Sequence, residues 1–256
     1  MKSRALLTIS ALIIAKNEGR NIVSCIQSVA FCQEIIVIDD ESEDDTVALA
    51  QAAGAVVYSR AMRGDYSAQQ NYAISKAKGD WLLFIDSDER VTPRLKKELQ
   101  RLSQGPLSTA YRIKRLNYFG SKRLYFGPMR ADYVTRFLPR NQVQFRGRVH
   151  QQLQHSYLEK KIKKGGLLHY TYENWGEYYA KFERYTRLCA EKYLEEGRGF
   201  SFFLDLILRP FWAFFNMYFL RLGILDGKLG WILAKNHYFY TYTKYVRFYY
   251  LKYPLN

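Results

Sequence analysis

The sequence predicts an α/β protein with a mostly parallel sheet flanked by helices, followed by an α-helical extension, and three observations carry that prediction. The first hundred residues alternate short apolar runs with helical patterns, the order of a sheet covered on both faces. The apolar runs are continuous and rich in β-branched residues, as strands buried on both sides are. Apolar residues make up 48% of the 256 positions, which allows a full core and excludes a disordered or low-complexity chain. At this length one large domain, or one domain plus an appendage, is expected.

Each element has its own signal. Residues 5–15 form the first apolar run, and the turn formers of 16–21 break it. Asn21 is placed to cap a helix whose apolar positions Ile22, Cys25, Ile26 and Val29 fall at helical spacing. A second buried strand covers 34–39, a helix 46–53, a third short strand 55–58 and a helix 67–77. Gly79-Asp80 turns the chain into a fourth strand, 81–85, which runs into Asp86-Ser87-Asp88-Glu89, and Pro93 opens a helix to about 102. Further on, 111–116 and 134–138 look like strands. Residues 178–196 form an amphipathic pattern with Phe182, Tyr185, Leu188 and Cys189 on one face. The most apolar stretch, 200–220, contains Asp205, Arg209, Pro210 and Asn216. Those residues argue against a clean spanning helix and for one that lies at an interface or packs on the domain.

In such sheets ligands gather at the carboxyl ends of the strands. Here those ends carry Asn17-Glu18, Asp39-Asp40 and residues 86–89. No GxGxxG follows the first strand and no GxxxxGK[ST] occurs, so the usual dinucleotide and P-loop sites are excluded. Acid-rich strand ends point instead to a phosphate bridged by a metal. Asp86-Ser87-Asp88 offers two carboxylates just past a strand, one for a hard divalent cation and one for a hydroxyl. Mg²⁺ takes one or two protein carboxylates and completes its shell with substrate phosphate and water. Within 39–46, helix capping accounts for Asp44, Asp45 and Thr46, but not for Asp39-Asp40 on the same edge as Asp86 and Asp88.

Ala11-Leu-Ile-Ile-Ala-Lys-Asn-Glu18, Ile36-Val-Ile-Asp-Asp-Glu-Ser-Glu-Asp-Asp-Thr46, Ala68-Gln-Gln-Asn71 and Gly79-Asp-Trp-Leu-Leu-Phe-Ile-Asp-Ser-Asp-Glu89 resemble the ordered motifs of family 2 glycosyltransferases with the GT-A fold. The likeness continues through Val149-His150, Leu168-His-Tyr170 and Gly223-Ile-Leu-Asp-Gly227, a pattern similar to the bacterial lipopolysaccharide-core β-glucosyltransferase branch. The resemblance implies inverting transfer of a hexose, with UDP-glucose as the first choice of donor. It further implies that Asp40 contacts the base and that Glu18 and Asp86 lie near base or ribose. Asn17 belongs with these donor-binding residues, Arg63 approaches the diphosphate, and Asp88 holds Mg²⁺ or Mn²⁺. His169 matches a late metal ligand or is a structural histidine. Inversion needs a general base, and here the chain departs from the family: Gln151 stands where glutamate is usual. His150 or Asp132 is left for that role. Gln70 also stands where arginine is common.

The resemblance and the composition divide the chain. Residues 1–170 are expected to be the catalytic domain, with a nucleotide-sugar half at 1–100 and an acceptor half at 101–170, and 171–256 a helical membrane-surface extension. Residues 1–100 carry 12 basic and 14 acidic groups, whereas 101–256 carry 27 and 10. Nucleic acid and anionic membrane both suit such an excess. No nucleic-acid module accompanies it, and 19 of the 42 aromatic residues lie in 200–256, interleaved with Lys and Arg as at a membrane interface. The expected partners are a UDP-sugar, a glycolipid acceptor and an anionic membrane surface, with no nucleic acid. Cys25, Cys32 and Cys189 have no metal or redox spacing and are expected to be reduced. The start of the chain is too short and polar for a secretory signal, so the expected location is the bacterial cytoplasm, on the inner face of the membrane. Another acceptor, such as a capsule repeat or a protein, and a catalytically weak nucleotide-sugar-binding protein are the alternatives.

Overall fold

The computed structural model describes residues 7–147 and 152–254. In chain order the elements begin β1 (Ile9–Ala15), α1 (Gly19–Ser28), β2 (Glu34–Asp39), α2 (Thr46–Ala52), β3 (Val56–Ser59), α3 (Tyr66–Lys76), β4 (Trp81–Asp86), β5 (Glu89–Val91) and α4 (Pro93–Ser103). They continue with β6 (Thr109–Phe119), β7 (Lys122–Arg123), β8 (Tyr133–Pro139), β9 (Gln144–Arg146), β10 (Gln152–Gln154), β11 (Leu158–Lys161), β12 (Leu167–Tyr172), α5 (Trp175–Glu195), α6 (Arg209–Phe215) and α7 (Gly227–Lys252). Two compact units share the chain: one runs up to Arg115 and resumes over Asp132–His169, the other takes Leu116–Ala131 and everything from Tyr170.

The first unit is the predicted α/β layer. Its strands run in the order β3-β2-β1-β4-β8-β6. The first four are parallel, and β4–β8 and β8–β6 are antiparallel. Successive residues of β1 point to opposite faces: Ile9, Ala11 and Ile13 pack with Ile22, Cys25 and Ile26 of α1, while Leu12 packs with Ile36, Ile38, Ala73 and Phe84. Burial on both sides is why these strands read as unbroken apolar runs. Gly79 lets the chain enter β4 beside β1, since a Cβ there would sit 2.6 Å from Ser10 Oγ and 2.7 Å from its amide nitrogen. Trp81 stacks on Phe137 at 4.6 Å and donates its indole N–H to Ser103 O at 2.9 Å. The buried tryptophan thus locks β4 to β8 with its one polar group satisfied.

Three local expectations change. The first strand starts at Ile9. Helix α1 starts at Gly19, with Glu18 in the cap position and no side-chain cap. Asn21 lies inside the first turn and donates to Glu18 Oε2 at 2.9 Å. It cannot cap because its own backbone is already helical. Thr92, by contrast, caps α4 ahead of Pro93 by accepting from the Leu95 amide.

The second unit is helical apart from its strand ends. Asn174 caps α5 by accepting from the Glu177 amide at 3.0 Å. The expected face of α5 is displaced: Tyr185 and Leu188 are exposed, and Thr186 and Ala190 are buried. The short residues win the inner stripe because α5 lies against α7, whose Tyr245 and Phe248 fill the space beside Ala190 and Tyr193. Gly230 is obligatory in α7, since a Cβ there would fall 1.9 Å from Gly223 O. Helix α6 is extended by two π turns, Leu204–Leu208 and Asn216–Leu220. Pro210 has no N–H to give and crowds the preceding turn. The wider π geometry immediately before it keeps the helix continuous. Among the described residues no helix is long and apolar enough to cross a membrane.

Candidate active site

The site is built by the register of the first unit. Ala15 pairs with Asp39 and Ile14 with Asp86, so the acidic ends of β2 and β4 flank the end of β1. Three loops leave this edge, and each contains a non-glycine residue in left-handed backbone: Asn17 (φ 54°), Glu41 (φ 52°) and Arg63 (φ 51°). Such conformations cost roughly 1–3 kcal/mol each and cluster at functional sites.

Hydrogen bonds hold these loops. The Asn17 amide donates to Ser42 Oγ at 2.8 Å, and the Glu43 amide donates to Asn17 Oδ1 at 2.8 Å. The side chain of Asn17 therefore braces the loop after β2. The Glu18 amide donates to Thr46 Oγ1 at 2.7 Å. Asp44 accepts from Gly19 and Thr46 and joins the starts of α1 and α2, the structural role read from sequence. The Asp40 carboxylate is buried, accepts from the Met62 amide at 2.7 Å and pairs with Lys16 Nζ at 3.1 Å. Asp39 Oδ1 is buried without a hydrogen-bond partner. Arg63 is exposed.

At the end of β4, Asp86 pairs with Arg136 of β8, which also lies 3.6 Å from Glu89 Oε1. Glu89 is fully buried and its Oε2 accepts from the Asp86 amide at 3.0 Å. Burial pushes its carboxyl up to about 7, against the opposing pull of Arg136. Burial alone would lower the Arg136 guanidinium, and the carboxylates of Asp86 and Glu89 more than offset it. Arg90 clamps the same turn, donating to Ser87 O at 2.7 Å and Asn21 O at 2.9 Å.

Antiparallel pairing of β12 with β5 sets His169 opposite Glu89 and brings its Nε2 within 3.4 Å of Asp88 Oδ2. A carboxylate oxygen and an imidazole nitrogen converge there, both partly open to solvent. Among the described residues no third His, Cys, Asp or Glu completes a cage. One carboxylate and one imidazole, with positions left for substrate phosphate, suit Mn²⁺ better than Mg²⁺, which prefers an all-oxygen shell.

Asp132 is held by Arg115, whose Nε donates at 2.9 Å. Burial would raise its carboxyl, but the bonds and charge of Arg115 keep it below the usual carboxylate range. His150 and Gln151 lie outside the described residues. Gln70 is buried, and its Oε1 has no hydrogen-bond partner. Its neighbour Asn71 bonds the Phe145 backbone in both directions, at 2.9 and 2.8 Å.

Sequence reading missed Arg136, Arg90 and Lys16, and gave Glu89 no role beyond its place at an acidic strand end. The one available signal for Arg136 was a cation inside an apolar strand, with its acidic partner named only by strand register. The cysteines are free, and burial raises Cys25 and Cys32, the latter to about 12. A cavity of about 710 Å³ beside α3, lined in part by Ser75, Gln142, Gln144 and His155, contains none of the predicted donor residues.

Residues 10–176 match the model of the family described as Glycosyl transferase family 2. The chain belongs to the family 2 glycosyltransferases. It is 30% identical over 239 residues to an uncharacterized glycosyltransferase of Rickettsia conorii, covering 88% of this chain and 83% of that one. It is 27% identical over 228 residues to the lipopolysaccharide core biosynthesis glycosyltransferase LpsC of Rhizobium meliloti, covering 86% and 82%. Among solved structures, glucosyl-3-phosphoglycerate synthase from Mycobacterium tuberculosis, in complex with Mn²⁺, UDP and phosphoglyceric acid, is 26% identical with a TM-score of 0.35. That likeness covers 45% of this family 2 chain and 44% of the synthase.

Proposed function

We propose that this family 2 transferase moves a hexose, with inversion, from a UDP-sugar, first of all UDP-glucose, to a hydroxyl of a lipid-linked acceptor of the lipopolysaccharide inner core. The observation that carries the reading is the convergence of Asp88 and His169 at 3.4 Å, on the edge where β1, β2 and β4 end in acids. The acceptor class is supported by the length over which the chain matches LpsC. In this reading residues 1–170 handle donor and acceptor, and 171–256 meet an anionic membrane at its cytoplasmic face.

The roles follow from the chemistry of each group. Asp40 accepts from the base, with Asn17, Glu18 and Asp86 around base and ribose and Arg63 reaching the diphosphate. Asp88 and His169 would hold Mg²⁺ or Mn²⁺, which when bound supplies positive charge against the leaving phosphate. The acceptor hydroxyl must lose its proton as it attacks the anomeric carbon. Asp132 is a weak proton acceptor while Arg115 holds it ionised, so His150 is the base we favour.

The test is turnover of a panel of UDP-sugars with extracted lipopolysaccharide and Mg²⁺ or Mn²⁺. Loss of the several kcal/mol a metal supplies predicts a fall of about 100-fold or more for Asp88→Ala. Equal turnover by wild type and variant would remove the metal role. Donor hydrolysis without transfer would exclude this acceptor, and no turnover of any UDP-sugar by the wild type would overturn the reading.

A further inference from the structure

The charges that argue from sequence against a spanning helix in 200–220 are drawn into one ion cluster around a buried carboxylate. Asp205 is 1% exposed. It accepts from the Ser201 amide at 2.9 Å and pairs with Arg198 and Arg209, each at 2.9 Å. Arg209 also donates to the Tyr245 hydroxyl of α7 at 3.2 Å. Leu206 and Pro210 lie on the same inner side. No other charged residue occurs in 202–220.

The outer side is apolar along its whole length. Phe203, Leu208, Phe211, Trp212, Phe219 and Leu220 are all exposed, Phe211 at 62% and Trp212 at 57%. Nineteen helical residues make a face about 28 Å long, far beyond the scattered exposed apolar residues of an ordinary surface. Its border is basic. Trp231, packed on Phe214 and Tyr218 at 5.2 Å, leads along α7 to Lys235, whose ammonium lies 5.4 Å from the Tyr238 ring and 5.5 Å from that of Phe239. Arg221 and Lys228 are exposed as well. Residues 206–256 contain seven basic residues and a single acid, Asp226, which is buried and accepts from the Phe126 amide at 2.9 Å. A second copy would bring two basic borders together, whereas anionic headgroups match them.

We infer that 202–220 is the element that enters the membrane: a one-sided helix lying in the plane of an anionic bilayer, with Phe211 and Trp212 at its deepest point and its ion triad turned to the protein. The inference rests on the membrane reading above and goes beyond it, because the basic, aromatic end of α7 is the competing anchor. One-sided immersion, rather than crossing, follows from the packed and charged inner face.

Flotation of the full chain with vesicles of phosphatidylcholine containing about one third phosphatidylglycerol tests it. Removing two large immersed rings predicts that Phe211→Ser/Trp212→Ser partitions about tenfold or more weaker, whereas Tyr249→Ser/Tyr250→Ser floats as wild type does. Brominated acyl chains are expected to quench the wild type more than Trp212→Phe, a readout that needs no destabilising change. If the α7 variant detaches while the 202–220 variant floats, this inference falls and the membrane reading stands. If the wild type does not float, both fall. A wild-type dimer that Phe211→Ser/Trp212→Ser converts to monomer, without vesicle binding, would assign the face to a second copy.

Discussion

Each compact unit pairs aspartate with arginine, with opposite stoichiometry. In the first unit one guanidinium, Arg136, faces two carboxylates, Asp86 and Glu89, and the Asp86 side chain remains 42% exposed. In the second, one carboxylate, Asp205, faces two guanidiniums and is sealed. The first cluster keeps surplus negative charge at an open edge, where a ligand's hydroxyls or a cation can meet it. The second neutralises its acid inside and presents hydrocarbon. An ion pair therefore says little about function by itself; which partner is in excess, and which is open to solvent, says more. A buried pair is weak evidence for stability, yet stripping one partner from it is expensive.

The largest expected effect comes from removing Arg136. Arg136→Met leaves two carboxylates facing each other, one fully buried, and should cost about 3–5 kcal/mol in chemical denaturation. Adding Glu89→Gln should restore part of that. Turnover should fall in Arg136→Met and stay low in the double variant, since Asp86 is still without its partner; recovered turnover would reduce Arg136 to a purely structural role.

The second unit should show its own sensitivity to acid. Burial, aided by the charges of Lys244 and Arg221, lowers His237 from 6.5 to about 4. The unfolded chain takes up this proton below about pH 6.5 and the folded chain only near 4, so stability is full above 6.5 and declines as pH falls towards 4. The loss is on the order of 3 kcal/mol. Unfolding curves at pH 7 and 4 should therefore differ by less in His237→Phe than in wild type.

A smaller change is expected from Asp205→Asn, which keeps the acceptor for the Ser201 amide but removes the charge shared by two arginines. About 2 kcal/mol is the expected cost, and donor hydrolysis per folded molecule, measured without vesicles, should not change. Loss of hydrolysis there would break the contrast between the two clusters. Smallest is Asn174→Ala, which deletes the cap of α5 and should lower stability by about 1 kcal/mol, visible as a modest fall in melting temperature.

How much of this was legible beforehand depended on range. The parallel layer was, because β1, β2 and β4 are buried on both faces and carry their acids at their ends. Asp88 with His169 was partly legible: each residue stood out, but their meeting depends on β12 pairing with β5. Arg136 was not, since its register against Asp86 is a tertiary fact that no local spacing encodes. The start of α1 was misplaced because Asn21 has the right chemistry for a cap in the wrong backbone. In α5 the apolar moment pointed to Tyr185 and Leu188, whereas close approach to α7 selected the small residues Thr186 and Ala190. Asp205 and Arg209 argued rightly against a spanning helix, but composition counts charges without showing which side of a helix they occupy.

The pairing of His169 with Glu89 has a consequence for synthesis. Asp88 leaves the ribosome some eighty residues before its imidazole partner, and the strand that carries His169 is the last of the sheet to be made. During that interval the carboxylate stands without its nitrogen neighbour. The acidic edge is thus completed only after β12 has been made, and a product truncated before it would lack the Asp88–His169 pair.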